Sequence, residues 1–79
     1  MTATVAVQHE NERIGAEVRA WMARRELRQI DVAEVLGVAQ KNVSRRLRGD
    51  IPFRIDELLT LARFMGITLA QLLGEEIVN

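Results

Sequence analysis

The sequence predicts an all-α fold, a compact arrangement of five short helices in one domain. Apolar residues recur at the spacing of one helix face, glycines interrupt these runs, and the 79 residues include a single proline. A chain of this length forms one small domain with a thin hydrophobic core.

The first predicted helix ends near Glu26. Its apolar residues stand at i, i+4, i+7 and i+8, and they are Ile14, Val18, Trp21 and Met22. This spacing gives one apolar stripe along an amphipathic helix. We therefore assign Trp21 to core packing.

The second and third helices are predicted over residues 29–36 and 40–48. Gly37 and Gly49 end them, because glycine adopts the left-handed conformation without a steric penalty. A fourth helix follows Pro52, with an apolar stripe formed by Ile55, Leu58, Leu59, Ala62 and Met65. Thr68 and Gln71 fit a capping box, which predicts a fifth helix over residues 69–73.

Charge is unevenly distributed along a chain whose formal net charge is zero. Residues 39–54 contain a single acid, Asp50, and five basic residues: Lys41, Arg45, Arg46, Arg48 and Arg54. The segments on either side are neutral to acidic. A local basic block attracts a polyanion within about a Debye length, ~8–10 Å, whatever the total charge.

Composition excludes several classes of function. The chain has no cysteine and one histidine, His9, so the sequence predicts no metal site and no cofactor. It contains no glycine-rich phosphate loop and no Ser/His/Asp set, which predicts that the protein is not an enzyme. No apolar run approaches the ~18 residues of a membrane span, so we expect no membrane association.

The third predicted helix carries the strongest functional signal. At 100° per residue, its polar face contains Gln40, Lys41, Ser44, Arg45 and Arg48, with Asn42 and Arg46 at its margins. Val43 and Leu47 lie on the opposite face and can anchor the helix to the core. Amide, hydroxyl and cationic groups without a carboxylate match the chemistry that recognises base edges and phosphates.

The segment from Gln29 to Arg45 resembles the helix-turn-helix of the XRE/Cro/lambda-repressor family. In that family a glutamine opens helix 2, an alanine lies four residues before the turn glycine, and a branched apolar residue follows six residues after it. Gln29, Ala33, Gly37 and Val43 occupy these places. The resemblance covers roughly residues 13–74 and implies a compact five-helix, lambda-repressor-like domain.

The sequence departs from the family at its helix starts. The family often has serine or threonine before helices 2, 3 and 4, where this chain has Arg28, Ala39 and Arg54. Glu26 stands where a glycine is frequent. Two readings of the arginines remain open, namely tolerated weak caps and side chains that reach DNA phosphates.

The resemblance implies a role for each polar residue of the motif. Base reading in the major groove is assigned to Gln40, Lys41, Asn42, Ser44 and Arg45. Contacts to the DNA backbone are assigned to Gln29, Arg28, Arg46, Arg48 and Arg54. The corresponding domain division is an N-terminal tail over residues 1–10, a DNA-binding domain over 11–74 and a C-terminal tail over 75–79. For residues 1–10, a helix extension and an edge strand are alternatives.

The resemblance also implies a function. We expect a sequence-specific transcriptional regulator of double-stranded DNA that acts as a homodimer, most simply a repressor like a phage Cro protein or a compact bacterial repressor. Its place would be the cytoplasm of a bacterial or phage-infected cell. One alternative is an antitoxin-like or adaptor module that docks a protein partner through Val5, Val7, Ile77 and Val78. A second is an architectural DNA binder without sequence preference.

Overall fold

The computed structural model of the chain describes residues 3–75, and α-helices are the only regular secondary structure in that range. They are α1 (Ala3–Arg24), α2 (Gln29–Leu36), α3 (Gln40–Arg48), α4 (Ile55–Met65) and α5 (Leu69–Leu72). The predicted all-α class and the order of five helices are therefore confirmed.

Helix α1 begins earlier than the apolar stripe indicated. Among the alternatives for residues 1–10, the structure shows the helix extension over residues 3–10, not the free tail or the strand. The extension contains no glycine or proline, and Gln8 donates to Glu12 across one turn at 3.4 Å. Residues 1, 2 and 76–79, with Ile77 and Val78 of the suggested docking strip, lie outside the described range.

The core is formed where all five helices converge, and α2 contributes Val32 and Ala33 to it. Val18 of α1, Val43 of α3, Leu61 of α4 and Leu72 of α5 are fully buried. Trp21 packs against this cluster, and its indole Nε1 donates to the Gln71 carbonyl at 2.9 Å. The assignment of Trp21 to packing is thus confirmed, and its contact joins α1 to α5.

Two glycines allow α1 to lie directly against the C-terminal end of α3. A Cβ on Gly15 would stand 2.3 Å from the Leu47 carbonyl oxygen, and a Cβ on Gly49 would stand 2.8 Å from Cα of Glu12. Both distances are far below van der Waals contact. The backbones of the two helices are therefore in direct contact, and α1 fixes the position of the C-terminal end of α3.

The turn between α2 and α3 has the predicted construction. Ala33 is buried, Gly37 adopts φ 69°, and the Gly37 amide donates to the Ala33 carbonyl at 2.8 Å. Val43 then inserts into the core from α3. The geometry of the helix-turn-helix thus depends on three residues that are close together in the sequence, Ala33, Gly37 and Val43.

The helix starts use two different capping arrangements. At α5, Thr68 accepts from the Gln71 amide at 3.0 Å, and Gln71 accepts from the Thr68 amide at 2.8 Å, which confirms the predicted capping box. At α2 and α4 the cap residues are Arg28 and Arg54, whose side chains cannot accept hydrogen bonds. There the carboxylate three residues later accepts from the cap amide instead.

Glu26 adopts a left-handed conformation, φ 55°, and no other non-glycine residue of the described range has a positive φ. This conformation costs a residue with a Cβ about 1–2 kcal/mol. We expect Glu26→Gly to raise the free energy of unfolding by up to about 1 kcal/mol, since glycine's extra freedom in the unfolded chain offsets part of the gain. Urea unfolding followed by Trp21 fluorescence measures this. A destabilised Glu26→Gly protein would show that the Glu26 side chain makes a compensating contribution.

Candidate nucleic-acid interface

The polar face of α3 is open to solvent. Gln40, Lys41, Arg45 and Arg48 are exposed, whereas Val43 and Leu47 on the opposite face are buried. Asn42 and Ser44 are half-buried at the margin. The structure therefore brings the five predicted base-reading residues together on one helix, with that helix anchored by its apolar side.

Three of these side chains have no partner in the part of the chain that the structure describes. Within residues 3–75, Gln40, Lys41 and Arg45 form neither a side-chain hydrogen bond nor an ion pair, although most arginines of the domain form one or the other. A surface cation without a neighbouring carboxylate can offer both its charge and its N–H donors to an incoming ligand. The face is thus predisposed to bind an anion or a hydrogen-bond acceptor.

Arg48 is held in place by its neighbours. Its Nη1 donates to Ser44 Oγ at 2.8 Å, and its Nε donates to Asp50 Oδ2 at 3.0 Å. The pair with Asp50 is exposed, so water screens it and its net contribution to stability is small. Arg48 can therefore exchange Asp50 for a phosphate at little cost.

Arg46 is placed differently from the other predicted backbone contacts. Its side chain retains only 12% of its exposure, and it forms two parallel hydrogen bonds to the Glu57 carboxylate at 3.0 and 3.1 Å. Its third nitrogen, Nη1, donates to the Asn42 carbonyl at 3.0 Å. The guanidinium thus faces α4, not the exposed face of α3.

The start of α2 contributes two further predicted contacts. Arg28 is exposed, and Gln29, the first residue of α2, is half-buried. Asp31 receives hydrogen bonds from the Arg28 amide at 2.8 Å and from its guanidinium at 3.1 and 3.2 Å. These bonds hold the pKa of Asp31 below its usual range and raise that of Arg28.

The lowered pKa of Asp31 has a consequence for stability. A carboxylate with a depressed pKa in the folded state stabilises the fold above its unfolded pKa, about 3.9, and loses that contribution as the pH falls through the folded value. We expect Asp31→Asn to lower the melting temperature at neutral pH and to flatten its decline in acid. Glu34→Gln, at an exposed position on the same helix, is the control. Equal acid profiles for the wild type and Asp31→Asn would contradict the assignment.

Arg54 precedes α4 and is exposed. Its Nε donates to Asp56 Oδ1 at 3.1 Å, while its backbone amide donates to Glu57 Oε1 at 2.9 Å. The ion pair with Asp56 is solvent-exposed on both sides and is readily replaced. Arg54 therefore combines a fixed backbone with an available cationic side chain.

Glu57 lies beside the candidate interface, although no site role was predicted for it from the sequence. The structure shows that it is buried and paired with Arg46. Two signals were available in the sequence, a carboxylate at the third position of the helix and an arginine on the core-proximal margin of α3. Neither reveals which basic residue the carboxylate meets.

The described residues give no sign of other chemistry. None of the described helices combines the length and apolar character that a membrane span requires. No cluster of three or more potential metal ligands occurs among residues 3–75. The exposed polar face of α3 carries three cationic side chains, those of Lys41, Arg45 and Arg48.

An all-helical domain that exposes such a face on the second helix of a helix-turn-helix defines a class of DNA-binding proteins. The model of the Helix-turn-helix family matches residues 18–72. The chain therefore belongs to the XRE-type helix-turn-helix family of DNA-binding transcriptional regulators, which are not enzymes.

Comparison with solved structures supports the fold independently. The chain resembles the crystal structure of the clp gene regulator ClgR from C. glutamicum with a TM-score of 0.75 and 24% sequence identity. The likeness covers 84% of this chain and 86% of that one. No curated protein matches the chain. At this level of identity, the likeness establishes the shared fold.

Proposed function

We propose that this protein is a sequence-specific regulator that inserts α3 into the major groove of operator DNA and represses transcription by blocking polymerase. The observation that carries the proposal is that the side chains of Gln40, Lys41 and Arg45 on α3 have no partner among the described residues. Amides recognise adenine and cationic groups recognise guanine through two hydrogen bonds at their base edges. A face built for phosphate binding alone would not require the amide.

The remaining predicted site residues have two proposed roles, base reading and phosphate binding. Asn42 and Ser44 at the margin of the face are proposed as additional base readers. Arg28, Gln29, Arg48 and Arg54 are proposed to hold phosphates, fixing the register of the helix without reading sequence. Arg28, Arg48 and Arg54 form ion pairs with Asp31, Asp50 and Asp56, respectively. In each pair the arginine is exposed, so the aspartate competes weakly with a phosphate.

We propose that the protein acts as a homodimer in the manner of Cro. A single nine-residue helix reaches few base pairs. Two copies on half-sites about 34–36 Å apart double the contacts and read an inverted repeat. Action on operator DNA also implies a cytoplasmic location in a bacterial or phage-infected cell.

Selection from a randomised duplex pool, followed by a salt titration of the enriched duplex, tests this proposal. We expect enrichment of an inverted repeat and a steep fall in affinity with salt, because each neutralised phosphate releases counterions. A steep salt dependence without enrichment would instead identify an architectural DNA binder. Absence of binding even at low salt would contradict the proposal.

A protein partner is the second candidate function. Val5 and Val7 are exposed on the first turns of α1, which gives the suggested docking strip an accessible portion. Purification of a stoichiometric protein complex together with failure to retain DNA would favour this function. Retention of an enriched duplex by the isolated protein would favour the regulator.

A further inference from the structure

We propose that Arg46 and Glu57 are positioning residues that hold α3 against the start of α4 and so set the orientation in which α3 meets DNA. This inference rests on the proposed function. It replaces the expectation, drawn from the family resemblance, that Arg46 contacts the DNA backbone. The side chains that would read bases and bind phosphates are then aligned by two residues that touch neither a base nor a phosphate.

The hydrogen bonds of Arg46 connect two elements at once. Nε and Nη2 donate to the two oxygens of Glu57 on α4, and Nη1 donates to the Asn42 carbonyl within α3. A planar guanidinium with all three nitrogens engaged has a defined orientation. The pair therefore fixes the rotation of α3 as well as its distance from α4.

Glu57 extends the connection to the backbone of the loop. Its Oε1 accepts from Arg46 and also from the Arg54 amide at 2.9 Å, so one oxygen joins α3 to the residue that immediately precedes α4. Residues 49–54 lie between these two points. Arg48 before the loop and Arg54 at its end, both proposed phosphate contacts, are thereby held at a fixed separation.

Burial distinguishes this pair from the other ion pairs of the domain. The side chains of Arg46 and Glu57 retain 12% and 10% of their exposure, whereas each other recorded ion pair between described residues has at least one partner above a third. A shielded, two-bond pair is weakened little by salt and is strongly directional. A phosphate would have to displace Glu57 from a nearly closed site.

The test compares Arg46→Lys, Glu57→Gln and the double variant with the wild type on the duplex selected from the pool. Lysine keeps the charge but cannot form the two parallel bonds, and glutamine keeps an oxygen for the Arg54 amide. We expect each single variant to weaken specific binding about tenfold, the double variant to be no weaker than the singles, and the salt slope to stay unchanged. Arg63→Lys, at an exposed position of α4 that has no proposed contact with DNA, is the matched control and should bind as the wild type does.

A phosphate contact by Arg46 would give different effects of the same variants on DNA affinity. If Arg46 holds a phosphate, Arg46→Lys binds nearly normally, and Glu57→Gln tightens binding because a negative charge near the DNA is lost. Either result overturns the inference while leaving the proposed function intact. Failure of the wild type to bind any duplex overturns the proposed function, and the inference with it.

Folding is controlled separately through the single tryptophan, Trp21, whose fluorescence reports unfolding. If a single variant is unfolded at the assay temperature, the apolar pair Arg46→Met with Glu57→Leu replaces it, since matched apolar substitution of a buried ion pair commonly preserves stability. We expect this double variant to lose discrimination between the selected and a scrambled duplex without a change in salt slope. Full retention of discrimination would overturn the inference.

Discussion

Gly15→Ala lowers the free energy of unfolding by about 1–3 kcal/mol, the usual cost of inserting an extra methyl group where no space exists. The new Cβ would lie 2.3 Å from the Leu47 carbonyl oxygen and 2.9 Å from that of Arg46. Neither obstacle is a flexible side chain, so α1 and α3 must separate. The direction of the change in the free energy of unfolding is informative, because Gly→Ala inside an unobstructed helix raises it by roughly 0.5–1 kcal/mol.

Urea unfolding monitored through Trp21 measures the change. Ala16→Leu is the matched control, since Ala16 is the next residue of α1 and is exposed. We expect the control to stay within about 0.5 kcal/mol of the wild type. A Gly15→Ala protein as stable as the wild type would show that α1 does not lie on the end of α3.

Arg45→Ala costs about 1–3 kcal/mol of DNA-binding free energy and relaxes the preference at one base pair. Arg45 is exposed on the polar face of α3 and has no partner among the described residues, so its guanidinium is free to form two bonds to a guanine edge. Affinities for the selected duplex and for its single-base variants measure both effects.

Two comparisons make the result specific. Arg48→Ala should weaken binding to all sequences alike and reduce the salt slope by about 1, as expected for a lost phosphate contact. Arg63→Ala removes an exposed arginine of α4, away from the polar face of α3, and should alter binding little. If Arg45→Ala showed the phenotype expected of Arg48→Ala, and the reverse, the assignment of roles would be refuted.

Much of the fold follows from short-range sequence features. Ala33, Gly37 and Val43 act within ten residues of one another, and each has a local physical role in crossing, turning or anchoring the helices. The polar face of α3 is likewise a periodic property of nine consecutive residues. Such features are recovered from sequence because the backbone conformation alone brings the residues together.

The extension of α1 was harder to predict for a related reason. Val5 and Val7 are exposed, so no core stripe marks the first turns of the helix. Without an apolar stripe, a helix, a tail and a short strand give similar patterns. The bounds of the predicted DNA-binding domain, residues 11–74, and the C-terminal tail over residues 75–79 stay predictions.

The Arg46–Glu57 pair could not be read from the sequence, because the irregular segment 49–54 separates its partners. On a helical wheel, Arg46 looks like any arginine at the margin of a cationic face. Its burial is decided by how that segment returns the chain against α3. The cap of α2 was not predicted either, because an acid three residues after Arg28 does not by itself show that its carboxylate accepts from the Arg28 amide.

The most direct test of the account is to record the backbone amide spectrum of the protein during titration with the enriched duplex. If the selection enriches no duplex, a random-sequence duplex at low salt is used for the titration instead. We expect the largest shifts along residues 40–48 and at the starts of α2 and α4, near Arg28 and Arg54. Shifts concentrated on the exposed surface of α4 around Arg63 and Phe64, with the amides of α3 unaffected, would contradict it.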